Sequence, residues 1–190
     1  MGRIILASGS PRRQELLRRM GIRDFTVFVP QVEETYPDDL SPEGIVCHIS
    51  RLKNAAVPAQ ANDIVITADT MVFLDEQKLG KPLDEAHALQ MLTALQGRRH
   101  TVCTGVTVRR GDELLTRARS TDVYFRPAGE KELRAYIATG EPMDKAGAYG
   151  VQGRGSLLVE RIDGDFFNVM GLPVVLLSEM LRHFGIDLLS

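Results

Sequence analysis

Three stretches of the chain gather side chains that can handle a phosphate, a water and a cation. In the first, Ser8-Gly9-Ser10 leads into Pro11, Arg12 and Arg13. Ser followed by Pro reads as the N-cap and first position of a helix. The N-terminal end of a helix is already its positive end and leaves backbone N–H groups unpaired. Two guanidinium groups added there, with the hydroxyls of Ser8 and Ser10, make a phosphate site. It is not a P-loop, because no Gly-Lys-Ser/Thr follows. A solvated arginine pair with Ser10 as a plain cap fits the same residues. In the second stretch, Asp69-Thr70 breaks the apolar run Asp63–Ala68. A carboxylate at a strand end can hold a divalent metal, take a proton from water, or merely cap a neighbouring backbone. In the third, Gly140–Gly155 carries five glycines in sixteen residues, with Gln152 among them. Such a loop packs backbone closely, and an amide side chain has both the donor and the acceptor needed to read a nucleobase edge.

Other residues matter only through where the fold puts them. Glu33 and Glu34 lie in an acidic loop, Pro30–Leu40, and join the chemistry if one of them comes near Asp69. Two carboxylates and a phosphate suffice for magnesium, which keeps several waters. Lys53 falls near a helix end, where a cation suits the dipole without any further role. Lys81, in Leu79-Gly80-Lys81-Pro82, is held in a stiff turn. Asp144 and Lys145 are placed to pair with each other.

The elements that must position these residues follow from period and punctuation. Ile4–Ala7 reads as a buried strand and Pro11–Met20 as a helix stopped by Gly21. Phe25–Val29 reads as a strand. Ser41-Pro42 opens a helix to about Val57, with Ile45, Val46, Ile49 and Leu52 on its apolar side. Asp63–Leu74 is extended, Asp75–Lys78 is a turn, and Asp84 opens a helix ended by Gly97. Thr101–Arg109 and Leu114–Phe125 form a hairpin about Gly111-Asp112. Lys131–Thr139 is a helix. Leu157–Arg161 and Asp165–Val169 are expected as a second hairpin about Asp163-Gly164. Pro173–Phe184 is the last helix. Strands alternating with helices early, and hairpins later, predict an α/β fold: a mixed twisted sheet flanked by helices, with two lobes around a cleft.

Composition narrows the class. A chain of 190 residues with 44% hydrophobic residues can bury a core as one domain over 1–190. A formal net charge of -2 lacks the basic excess of a nucleic-acid-binding protein. Cys47 and Cys103 have no metal or redox spacing, and the four histidines are scattered. No apolar run is long enough to span a bilayer and the N-terminus has no signal-peptide layout, so a cytoplasmic protein without a membrane partner is expected.

Taken together these stretches resemble the Maf family of nucleoside triphosphate pyrophosphatases. The matching residues are Leu6–Leu17 (LASGSPRRQELL), Val32–Glu34, Lys53, Ala68–Thr70, Leu79–Pro82, Glu141–Gly153 (EPMDKAGAYGVQG) and Gly171–Pro173. The resemblance covers essentially the whole chain. It implies the α/β fold of the inosine triphosphate pyrophosphatases and cleavage between the α- and β-phosphates with a divalent metal, magnesium being the expected one. The form with Arg12, Thr70 and Gln152 looks like the branch acting on dTTP and UTP, which makes these three specificity residues. The resemblance further implies that Asp69 is the catalytic acid-base residue, and that Ser8, Arg13, Glu34, Lys53 and Lys81 line the pocket. Glu34 and Asp69 are the expected metal ligands, the partner is a nucleoside triphosphate, and a homodimer fits the family. Two positions depart from the pattern: Asn54 stands where Ala commonly follows the lysine, and Leu52 where a polar residue is frequent. The family takes its name from an effect on septum formation, so a regulatory binding protein of cell division is the alternative. A nucleotide sensor that binds without cleaving is a third reading. Intact Asp69 and arginines favour the enzyme.

Overall fold

A computed structural model describes residues 2–190; Met1, the first residue of the expected domain, lies outside them. The helices open where a side chain can accept the unpaired N–H groups of the first turn. Ser10 accepts from the Arg13 N–H at the start of α1 (Pro11–Arg19), Ser41 from Gly44 in α2 (Pro42–Ala55), and Asp84 from His87 in α3 (Glu85–Leu95). Each such cap contributes about 1 kcal/mol. Gly21 and Gly97 end α1 and α3 with φ of 92° and 67°, the left-handed region that glycine enters without strain.

Among the described residues seven strands form one mixed sheet: β1 (Ile4–Leu6), β2 (Thr26–Val27), β3 (Ile64–Leu74), β4 (Gln77–Leu79), β5 (Arg99–Arg110), β6 (Glu113–Phe125) and β7 (Val159–Asp163). Their order is β2-β1-β3-β5-β6-β7, with β4 on β3. β1 runs parallel to both β2 and β3, with Ile5 opposite Thr26 and Val65. β4 and β7 pair antiparallel with β3 and β6. The mixed α/β sheet is therefore the one expected.

Two expectations are corrected. Asp75–Lys78 is not all turn: the chain reverses at Asp75, and Gln77–Leu79 pairs back on β3, Phe73 facing Lys78. Three residues are too few for a period to show. Asp165–Val169 is not a strand but lies within and just before the short helix α5 (Phe166–Met170). The Asp165 carboxylate accepts the N–H groups of Phe167 (2.8 Å) and Asn168 (3.2 Å), a cap that outcompetes the β-prone Phe-Phe-Asn-Val sequence. The partner of β7 is β6 instead, with Ile162 opposite Val123.

The chain divides into two compact units. The first comprises residues up to Asp69, Thr104–Arg119 and Gly171–Ser190; the second comprises Thr70–Cys103 and Ser120–Met170. In the first, Ile5, Ala7, Val57 and Val65 form a buried cluster with Phe28 and Ala59 packed on it. The last helix, α6 (Val174–His183), buries Leu176, Leu177, Met180 and Leu181. In the second, α3 packs on α4 (Glu130–Ile137), and Leu92, Leu95 and Leu133 are buried. Among the described residues no helix is long and apolar enough to cross a membrane.

Candidate active site

In the first unit the turn between β1 and α1 is organised by its own side chains. The buried Ser8 hydroxyl accepts the Ser10 N–H (3.3 Å) and a guanidinium N–H of Arg13 (3.2 Å). Arg13 folds back from the helix start, and its Nε donates to the Gly171 carbonyl at 2.8 Å. Burial lowers its pKa; the carboxylates of Asp69 and Glu34 act in the opposite sense, and the neighbouring Arg12 adds to the lowering. Three other expected site residues, Asp69, Arg12 and Glu34, thus lie within electrostatic reach of Arg13. The two arginines are not equivalent: Arg13 braces Ser8 and the chain before α6, while Arg12 stands half-buried on the same turn.

Asp69 follows five buried residues of β3 and is itself only 7% exposed. A carboxylate taken that far out of water needs a cation. Lys53, from the last turn of α2, supplies it: its ammonium donates to Asp69 Oδ1 at 2.7 Å and stands 2.8 Å from Glu34 Oε1. The acidic loop therefore brings Glu34 to Asp69 through a shared lysine. Among the described residues no cluster of three or more His, Cys, Asp or Glu side chains could hold a metal by itself.

What aims Lys53 is the residue beside it. Asn54 is fully buried and donates to the Val65 carbonyl (3.2 Å) and the Thr67 hydroxyl (3.2 Å) of β3 and to the Thr107 carbonyl (3.4 Å) of β5. Its own oxygen accepts from Arg109 Nε at 2.8 Å. One turn earlier Ser50 joins the Thr67 and Thr107 hydroxyls. This network locks α2 over β3 and β5. Gly105 permits the approach, because a Cβ there would come within 2.4 Å of the Val46 backbone. Asn54 thus ties the lysine's helix to the aspartate's strand.

In the second unit, Thr70 is half-buried, and Lys81 and Gln152 are exposed. Lys81 sits between Gly80, whose carbonyl accepts the Gly147 N–H at 3.0 Å, and the buried Pro82. The glycine-rich stretch is not one open loop but contains three short 3-10 turns, Glu141–Asp144, Ala146–Ala148 and Arg154–Leu158. Its glycines have steric causes. A Cβ on Gly153 would meet the Glu141 carboxylate at 2.3 Å, on Gly150 the Lys145 stem at 2.6 Å, and on Gly155 the Tyr136 hydroxyl at 2.6 Å. Lys145 pairs with Asp144 as expected, at 2.6 Å, and also donates to the Glu141 carbonyl at 2.6 Å.

Glu141 is the residue that sequence reasoning missed. Its carboxylate accepts from Arg154 N (2.8 Å), Gly155 N (3.0 Å) and the Tyr136 hydroxyl (2.9 Å). Burial acts to raise its pKa, but the Gly155 and Arg154 N–H groups, Tyr136 and Lys145 together outweigh burial and leave it below the ordinary value. The signal was present: an acid beside Pro142 at the mouth of a glycine-rich stretch can serve as its anion. Deeper in the same unit, Tyr149 donates to or accepts from buried His100 at 2.8 Å, within an edge-to-face cluster with Phe125.

Of the nine expected site residues, Ser8, Arg12, Arg13, Glu34, Lys53 and Asp69 belong to the first unit, and Thr70, Lys81 and Gln152 to the second.

Known proteins resemble the chain over nearly its whole length. A dTTP/UTP pyrophosphatase from Moorella thermoacetica is 49% identical over 98% of this chain and 97% of its own length. Proteins of the same name from Symbiobacterium thermophilum and Bacillus cereus are 48% and 46% identical over 97% and 98% of this chain and 95% and 98% of their own lengths. Among solved structures, the Staphylococcus aureus Ham1 protein aligns over 96% of this chain and 99% of its own with a TM-score of 0.52 at 17% identity, a likeness of fold alone. The family model for Maf-like protein matches residues 3–184, and the chain belongs to that family.

Proposed function

We propose that this chain is a nucleoside triphosphate pyrophosphatase that hydrolyses dTTP and UTP to the monophosphate and pyrophosphate. The observation that carries the reading is the Lys53 ammonium shared by Asp69 and Glu34, two carboxylates that both act electrostatically on Arg13. It is further supported by relatives of that name, 46–49% identical over nearly the whole chain.

Two carboxylates with Lys53, Arg13 and Arg12 sum to a formal charge of one positive unit. A triphosphate brings several negative charges, so the site favours it. Asp69 accepts a proton from water as the water oxygen bonds to the α-phosphorus. The bond from that phosphorus to the oxygen bridging to the β-phosphate breaks, and its electron pair leaves with pyrophosphate. Lysine and arginine side chains stabilise the charge that gathers there. The donor set fits magnesium: Asp69 and Glu34 are hard oxygen ligands already drawn toward one cationic centre, and they would hold the ion together with phosphate oxygens and waters. When bound, that ion would screen the triphosphate and polarise the phosphoryl oxygens. We assign Ser8 and Arg13 to the phosphate, and the family resemblance assigns Lys81 to the pocket and Arg12, Thr70 and Gln152 to base selection. The work is done on free nucleotides in the cytoplasm.

Pyrophosphate release with magnesium tests this, using dTTP, UTP, CTP, dATP, GTP and 7-methyl-GTP at equal concentration. Release from dTTP and UTP with purines near background is expected. A preference for 7-methyl-GTP would overturn the base assignment and keep the enzyme. No release from any nucleotide by folded protein would overturn the enzyme and favour the regulatory reading.

A further inference from the structure

The stretch that carries Gln152 is held at both ends by one carboxylate. On its leading side, the Gly150 N–H donates to the Tyr136 hydroxyl at 3.0 Å, and that hydroxyl donates to Glu141 Oε1 at 2.9 Å. On its trailing side, Gly155 N donates to the same Oε1 at 3.0 Å, and Arg154 N to Oε2 at 2.8 Å. The carboxylate also fills the space where a side chain on Gly153 would go. Gln152 stands exposed between these fixed points. What Glu141 fixes is the backbone on either side of the amide assigned to reading the base. Tyr136 is itself buried, so it offers a rigid post.

We infer that Glu141, with Tyr136, is a positioning residue for base selection: a clamp that sets where the Gln152 amide is presented to a pyrimidine. This rests on the base-reading role given to Gln152 above. Thymine and uracil show a carbonyl and an N–H on the edge where cytosine shows an amino group and a bare nitrogen. An amide distinguishes them only if its donor and acceptor are held in register. Hydrogen bonds from two backbone N–H groups and a tyrosine hydroxyl to one ionised carboxylate give that rigidity, and a carboxamide cannot replace them, because its NH2 end would face donors.

The test combines exchange and selectivity. In Glu141→Gln, amide hydrogen exchange at Gly150, Arg154 and Gly155 should accelerate. The KM for dTTP should rise and the preference for dTTP over CTP in kcat/KM should fall, each by about tenfold, with kcat falling less. Tyr136→Phe, which keeps the ring, should shift both in the same direction by a smaller factor, and it decides the matter if Glu141→Gln does not fold. Adding Glu141→Gln to Gln152→Ala should lower the preference no further than Gln152→Ala alone. Faster exchange with unchanged preference would overturn the link to specificity; unchanged exchange would overturn the clamp. If Gln152→Ala leaves the preference intact, the base-reading role fails. If the unsubstituted protein releases no pyrophosphate, the function reading fails, while exchange still reports on the clamp.

Discussion

Asp69 and Glu141 are both carboxylates held in place by hydrogen bonds, and they are held in opposite ways. Asp69 is gripped by a lysine ammonium at the end of a long rotatable stem, which it shares with Glu34. Glu141 is gripped mainly by two backbone N–H groups and a buried tyrosine hydroxyl. A side-chain cation can trade one anionic partner for another as a substrate arrives. Backbone donors cannot, since moving them means moving the chain. The first arrangement suits a centre where charges must be exchanged during a reaction. The second suits a scaffold that must not shift. Each is underlain by a buried polar device of its own: the Ser50, Asn54, Thr67 and Thr107 network beneath Lys53, and the His100–Tyr149 pair in the unit that holds the glycine-rich stretch.

The comparison breaks most decisively at Asp69. Asp69→Asn keeps the shape but cannot take a proton, so dTTP turnover should fall about a thousandfold while the protein melts within a few degrees of the parent. Turnover retained within about tenfold in folded protein would show that Asp69 is structural in the way Glu141 is. Asn54→Ala should act the other way round, through the scaffold. It removes a buried amide from four partners and leaves Arg109 Nε without its acceptor, so the urea midpoint should drop by the equivalent of about 3 kcal/mol. A loss under about 1 kcal/mol would show that α2 is held by apolar packing alone.

The smallest effect is a matter of pH. Burial holds His100 down to about 4, against an ordinary value of 6.5. Below pH 6.5 the unfolded chain takes a proton that the fold refuses. Stability is therefore full above 6.5 and falls toward pH 4, by at most about 1.4 kcal/mol per pH unit. Asp63, held at about 2 chiefly by its hydrogen bond from Arg3, works in a separate window: its contribution is full above pH 3.8 and is lost as pH falls toward 2. Urea midpoints from pH 7 to 4.5 should thus decline in the parent and decline less in His100→Phe. An equal slope in both would place the acid sensitivity elsewhere.

Much of this was legible in the chain. Ser10-Pro11, Ser41-Pro42 and Asp84 announced three helices, because a cap is a local event between residues three apart. The apolar run before Asp69 announced a buried strand, since continuous burial on both faces leaves no alternation. The short β4 and the helix at Phe166–Met170 were not legible. One is too brief to carry a period, and the other is decided by where the Asp165 carboxylate turns.

Residue types alone determined that Arg12, Arg13, Asp69, Glu34 and Lys53 could make a phosphate-handling site, because charge and donor capacity belong to the side chain. Tertiary structure alone decided which of two adjacent glutamates meets Lys53, and that Arg13 turns inward to Gly171, 158 positions away. It also decided that Asn54 anchors the helix and that Glu141 gathers the glycines. Those outcomes depend on distances between residues apart in the chain, which the burial of each unit's own core sets and no local pattern encodes.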